Sequence, residues 1–98
     1  MPLVTIGSQQ CTGPQGHNLT VKYSYSGFQP GAPLTLQFID GDNGAILKEE
    51  NLGSTHSGSG HGSVKWNSPV LNHRYRVRII DRNTGYEGAE FFYSSCPS

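Results

Sequence analysis

The chain has no long apolar run, no helical periodicity and no excess of either charge. Nothing in its 98 residues approaches the roughly 20 consecutive apolar residues that span a bilayer, so membrane insertion is not expected. The 7 Lys and Arg are matched by 7 Asp and Glu, and without a net field there is nothing to recruit nucleic acid or an anionic membrane. Helices are not expected either, because Gly (13) and Pro (6), the two poorest helix formers, are abundant. The sequence contains no Cys-x-x-Cys pair, no Gly-x-Ser-x-Gly, no phosphate-cradling glycine loop and no Ser/His/Asp set with an arguable order. A glycosidase needs two carboxylates across a cleft, and so short a chain has little room for one. No catalytic residue, cofactor or metal is expected.

What is present is a succession of short alternating segments. Hydrophobic residues make up 34% and charged residues 14% of the chain, a composition that suits strands joined by many turns. Leu3 to Ile6 reads as a first strand. Asn18 to Ser26 alternates Leu19, Val21, Tyr23 and Tyr25 against Thr20, Lys22 and Ser24. Leu34, Leu36 and Phe38 alternate with Thr35 and Gln37. The Asn43-Gly44 pair favours a tight hairpin, from which Ala45 to Glu49 returns. Ser63 to Asn67 points Val64 and Trp66 inward. Arg74 to Asp81 puts Tyr75, Val77 and Ile79 on one face and Arg74, Arg76 and Arg78 on the other. Ala89 to Ser94 closes the series. The expected fold is all-β: one domain over residues 1–98, a seven-stranded antiparallel β-sandwich of immunoglobulin or fibronectin-III type.

If strand direction alternates, the connection carrying Cys11 falls at the same end as Cys96. A disulfide between them is expected, and closing so long a loop contributes about 4–5 kcal/mol in the chain-entropy description. It implies an oxidising compartment. Asn18-Leu19-Thr20 is an N-glycosylation sequon, which agrees with secretion. Met1-Pro2 is expected to be a start grafted onto a mature secreted chain.

The opposite end gathers the loops that carry Phe28, His56, His61 and Tyr86. The Gly/Ser-rich stretch from Asn51 to Gly62 is expected to be mobile and, with Phe28 and Tyr86, to form a binding surface. His56 and His61 lack a carboxylate or thiol nearby in sequence, and His17 and His73 are assigned to the other end, so the histidines are not read as metal ligands. Asp40-x-Asp42-x-Gly44 has the start of a calcium loop, but Gly44 and Asn51 stand where an EF-hand needs its fifth and twelfth ligands. Arg74, Arg76 and Arg78, joined by Lys65 and Lys22, form a positive stripe that could grip an acidic polysaccharide or simply discourage edge pairing.

The stretch G-S-V-K-W-N-S-P, then R-Y-R-V-R-I-I-D-R-N-T-G-Y-E-G-A-E-F-F, with N-L-T-V-K-Y-S-Y and P-L-T-L-Q-F upstream, resembles a family of fungal secreted Ig-like domains. That family occurs at the N-terminus of Ser/Thr-rich GPI-anchored wall proteins and of Kre9/Knh1-type β-1,6-glucan assembly proteins. The resemblance covers residues 18–93; the Cys11/Cys96 pair lies outside its pattern. It implies a non-catalytic module of the cell wall or surface. The expected function is recognition of a cell-wall or surface glycan by a secreted extracellular module. Two alternatives stay open: a protein-binding module (receptor-like, inhibitor or effector) using the same loops, or a self-associating matrix protein.

Overall fold

The computed structural model describes residues 1–12, 18–67 and 69–95. Seven strands follow in order: β1 (Leu3–Thr12), β2 (Asn18–Ser26), β3 (Pro33–Asp40), β4 (Ile46–Ser54), β5 (Gly60–Asn67), β6 (Arg74–Asp81) and β7 (Glu87–Tyr93). They form a three-stranded sheet, β1-β2-β5, and a four-stranded sheet, β4-β3-β6-β7, in which every pairing is antiparallel. No helix occurs among the described residues. The arrangement is all-β and β-sandwich-like, with the two sheets facing each other across one apolar core.

The alternation that marks the strands also builds that core. Leu19, Val21 and Tyr23 of β2 are buried, as are Tyr75, Val77 and Ile79 of β6, and burying each such aliphatic or aromatic side chain contributes about 1.5–3 kcal/mol. Phe38 is the hub. Its ring stacks on Tyr75 at 5.1 Å and on Trp66 at 5.7 Å and meets Phe92 at 6.1 Å. Trp66 is only half-buried and packs on the margin of the core, whereas its period-2 neighbour Val64 is fully inside. Central strand β3 is buried on both faces, since Thr35, Gln37 and Ile39 on its outer side are covered too.

Side chains bridge both open flanks between the sheets. On one flank the Gln9 amide donates from Nε2 to the Tyr93 carbonyl at 2.9 Å, and its Oε1 accepts from the Ser95 N–H at 2.9 Å. On the other, Lys48 Nζ donates to the Lys65 carbonyl at 2.9 Å and pairs with Glu50 at 3.1 Å.

The two hairpins of the four-stranded sheet use one turn twice. Asp40-Gly-Asp-Asn-Gly44-Ala45 and Asp81-Arg-Asn-Thr-Gly85-Tyr86 share a spacing and a hydrogen-bond plan. The first Asp accepts at Oδ1 from the N–H two residues on (2.9 and 2.8 Å), and its carbonyl accepts from the glycine N–H (2.9 and 2.7 Å). Each glycine has φ near +80°: 76° at Gly44 and 79° at Gly85. The Asn-Gly pair is therefore the latter part of a longer turn built by Asp40, not a two-residue loop.

Several boundaries differ from the sequence expectation, β7 among them at Glu87–Tyr93, and three of the differences reshape the loops. β1 continues to Thr12, carried past Ile6 by a bulge: Ile6 pairs with Tyr23 and Gln9 with Val21, so Gly7 and Ser8 together oppose Lys22. β4 runs on to Ser54 and β5 starts at Gly60, which shrinks the expected Asn51–Gly62 loop to residues 55–59. That short loop is tied down. Thr55 is buried and its N–H donates to the Ala32 carbonyl at 3.1 Å; the Phe28 N–H donates to the Gly58 carbonyl at 3.1 Å. Gly58 itself has φ 78°, and a side chain there would collide with the Phe28 carbonyl.

Candidate functional site

The hairpin ends fall as strand alternation requires. The Gly41 N–H donates to the Arg74 carbonyl at 2.8 Å and the Ser94 N–H to the His73 carbonyl at 2.9 Å, which draws the β3–β4 turn, the β5–β6 connection and the end of β7 together. The Cys11 sulfur lies 3.7 Å from the Ser95 carbonyl oxygen at this same end. Cys96 and His17 lie outside the described residues. Asn18, the sequon residue, is half-buried at the start of β2, across from Asn67.

The β2–β3, β4–β5 and β6–β7 connections meet at the opposite end, as expected, but Phe28, His56, His61 and Tyr86 do not form one surface there. Phe28 is 6% exposed and packs edge-on against Tyr25 at 6.0 Å: it caps the core and is not a contact residue. His61 belongs to β5, opposite Ser24, and faces solvent on the outer side of the three-stranded sheet. His56 stays exposed in the short loop. Tyr86 is exposed and, with Met1, Pro2, Gly27 and Gln29, lines a shallow hollow of about 400 Å³.

The arginine stripe is real but divided, and the lysines expected beside it are elsewhere. Lys22 and Lys65 sit on β2 and β5, in the other sheet. Across the outer face of the four-stranded sheet runs a ladder of polar side chains. Gln37 Nε2 donates to Glu49 Oε2 at 2.9 Å, Gln37 Oε1 accepts from Arg78 Nε at 2.9 Å, and Arg78 stands 3.8 Å from Glu87. Arg78 is thereby compensated and structural. The next register row is different. Arg76 pairs with Phe91 on β7 and with Ile39 on β3, which pairs with Ile46 on β4. The Arg74 and Arg76 guanidinium carbons lie 4.8 Å and 5.3 Å from the centre of the Phe91 ring, within cation–π range. Phe91 is 47% and Tyr93 67% exposed, and Arg76 Nε is buried without a hydrogen-bond partner among the described residues.

Phe91 and Tyr93 were not picked out from sequence as site residues. Their signal was a second alternation, Phe91 and Tyr93 outward with Phe92 inward, set by the Asp81–Tyr86 turn against Arg76 and Arg74.

Asp40, Asp42 and His73 each place one ligand atom within 4.8 Å of the others. Local chemistry accounts for the grouping. Asp40 caps its turn with the same Oδ1 bond that Asp81 makes in the twin, His73 Nε2 lies 2.9 Å from Asp40 Oδ1, and Arg74 stands 3.9 Å from Asp42. The hydrogen bond from the Asp42 N–H, then the one with His73, hold the Asp40 carboxyl below its ordinary range. Inside the sheets, burial, then Glu50, then Tyr25 push the Tyr23 hydroxyl up to about 12.

No family model, no curated protein and no solved structure matches this chain. The chemistry of the surface has to carry the functional reading. A half-exposed phenyl ring in contact with two guanidiniums, next but one in β7 to an exposed phenol, offers an apolar surface with charged and hydrogen-bonding rims.

Proposed function

We propose that the chain is a non-catalytic, secreted module of immunoglobulin or fibronectin-III type that recognises a glycan through the outer face of its four-stranded sheet. The observation that carries this reading is Phe91, half-exposed, with Arg74 and Arg76 over its ring and Tyr93 beside it. A pyranose presents an apolar C–H face and an equatorial rim of hydroxyls. The ring and the phenol supply a stacking plane, and guanidinium N–H groups donate to the rim in a fixed fork. Because the strands hold these side chains in register, little ordering cost is left to binding. The placement of β4 beside β3 in the four-stranded sheet supports the type assignment, the Cys11 sulfur next to Ser95 supports a bond to Cys96, and the core pattern over residues 18–93 supports kinship with the fungal wall-protein Ig-like domains.

Binding to a glycan array, followed by titration of any hit against Phe91→Ala and Arg76→Gln, tests the reading. Each substitution is expected to weaken binding by about tenfold, or 1.4 kcal/mol, with the thermal unfolding midpoint retained. An array without hits, or hits that both variants bind as the parent does, would overturn it. A second reading is favoured by the hollow at Tyr86: a protein partner docking an apolar side chain between Met1, Pro2 and Tyr86. Under that reading Tyr86→Ala abolishes capture of the partner and Phe91→Ala does not.

A further inference from the structure

The charge balance conceals a partition. All 7 Asp and Glu lie on β3, β4, β6, β7 or the hairpin turns that join them. The three-stranded sheet contains no acidic residue among those described, yet it carries Lys22 and Lys65 on its outer face and His61 beside them. Across the β2–β5 pairing Lys22 stands opposite Ser63 and Thr20 opposite Lys65, so the two lysines are diagonal neighbours, whose backbone separation in a sheet is about 7–8 Å. Neither ammonium has a carboxylate partner among the described residues. Glu50, at the margin, is held by Lys48 at 3.1 Å.

On the other side of Lys22 the bulge at Gly7 and Ser8 interrupts the ladder. Bulges recur where a sheet re-aims side chains for function. Here it borders a hollow of about 320 Å³ lined by Ser8, Gln9, Gln10, Thr20 and Lys22. The lining offers hydroxyl and amide donors and one uncompensated cation, with no apolar side chain among them. Such a lining fits a hydrated anion that brings its own hydroxyls.

We propose that the outer face of the three-stranded sheet binds an anionic polysaccharide, its carboxylate or sulfate groups seated at Lys22 and Lys65 and its hydroxyls at Ser8, Gln10 and Thr20. The site shares no residue with the Phe91 platform and lies on the other sheet, so it stands or falls separately. Two like charges on an acid-free face repel each other, and an incoming anion relieves both at once. A strand of repeating anions matches a row of cations better than a single ion does.

The test titrates the full chain with polygalacturonate, dextran sulfate, unmodified dextran and a single-stranded oligonucleotide at low and high salt. Polygalacturonate, dextran sulfate or both are expected to bind, more weakly as salt rises, and unmodified dextran not at all; the two polyanions report whether carboxylate or sulfate is preferred. Lys22→Gln and Lys65→Gln are each expected to weaken that binding by about tenfold, while Phe91→Ala leaves it unchanged. Deleting Ser8 removes the bulge and keeps both halves of β1 in register, so it is expected to weaken binding while the fold survives. Failure of both polyanions to bind, or binding indifferent to both lysine variants, overturns the proposal. Tighter, lysine-dependent binding of the oligonucleotide also overturns it, by reassigning the ligand.

Discussion

Phe38 shows how much one side chain can organise. It is wholly buried and touches the rings of Trp66, Tyr75 and Phe92 from both sheets. Phe38→Ala is expected to cost about 3–5 kcal/mol in denaturant unfolding. Trp66, half-buried against that ring, is expected to show emission between those of buried and free indole, with partial quenching by iodide; full accessibility would contradict the stacking. Asp40 gives a pH dependence. A carboxyl whose folded pKa is depressed stabilises the fold at pH values above its unfolded pKa, about 3.9, and that contribution is lost as pH falls through the folded value. The stability gap between the parent and Asp40→Asn is therefore expected to be constant near neutrality and to close as pH drops below about 4, read from unfolding curves at successive pH. Residue-scale legibility was uneven for a physical reason. Alternation placed Val64 and Tyr75 correctly because each sits on a strand. Phe28 follows a glycine in a loop, where no periodicity says whether a ring turns out or folds back.

At the scale of elements, all seven strands were readable from the sequence; β2 and β6 were placed to the residue, and several of the other ends were not. The run from Asn51 to Gly62 looked flexible because it is rich in Gly and Ser. The structure uses those glycines for room and for backbone shape instead. A side chain at Gly60 or Gly62 would meet the Tyr25 or Tyr23 hydroxyl at 2.6 or 2.7 Å, and Gly58 lets the loop pass the Phe28 carbonyl. Composition cannot distinguish a glycine that frees the chain from one that lets it pack. The twin turns provide a clean test of the second kind. Nothing lies within 4 Å of a side chain added at Gly44 or Gly85, so Gly44→Ala and Gly85→Ala register only the cost of a positive φ. Each is expected to lose about 1–2 kcal/mol, with nearly equal values from thermal unfolding; a large difference would mean that the turns are not equivalent. The arginine site was half-legible for a similar reason: the cations stand on one strand, but the ring they cover comes from the next, and only the hairpin register joins them.

For the whole molecule, a Cys11–Cys96 bond is expected to contribute about 4–5 kcal/mol, measured as the loss on replacing both cysteines by serine; thiol titration of the denatured, unreduced chain should find none. The separation of acids from the three-stranded sheet has a further effect that does not depend on any ligand. Five of the 7 Lys and Arg share the four-stranded sheet and its turns with all 7 acids, and 5 − 7 leaves that half at −2, while Lys22 and Lys65 leave the other at +2. Stacked sheets lie about 10 Å apart, so a chain with no net charge is a permanent dipole across its thin axis. Molecules of this kind attract face to back even where their monopoles vanish. Near neutral pH and at low ionic strength the protein should therefore show a negative second virial coefficient and a solubility minimum, and modest salt should dissolve it rather than precipitate it.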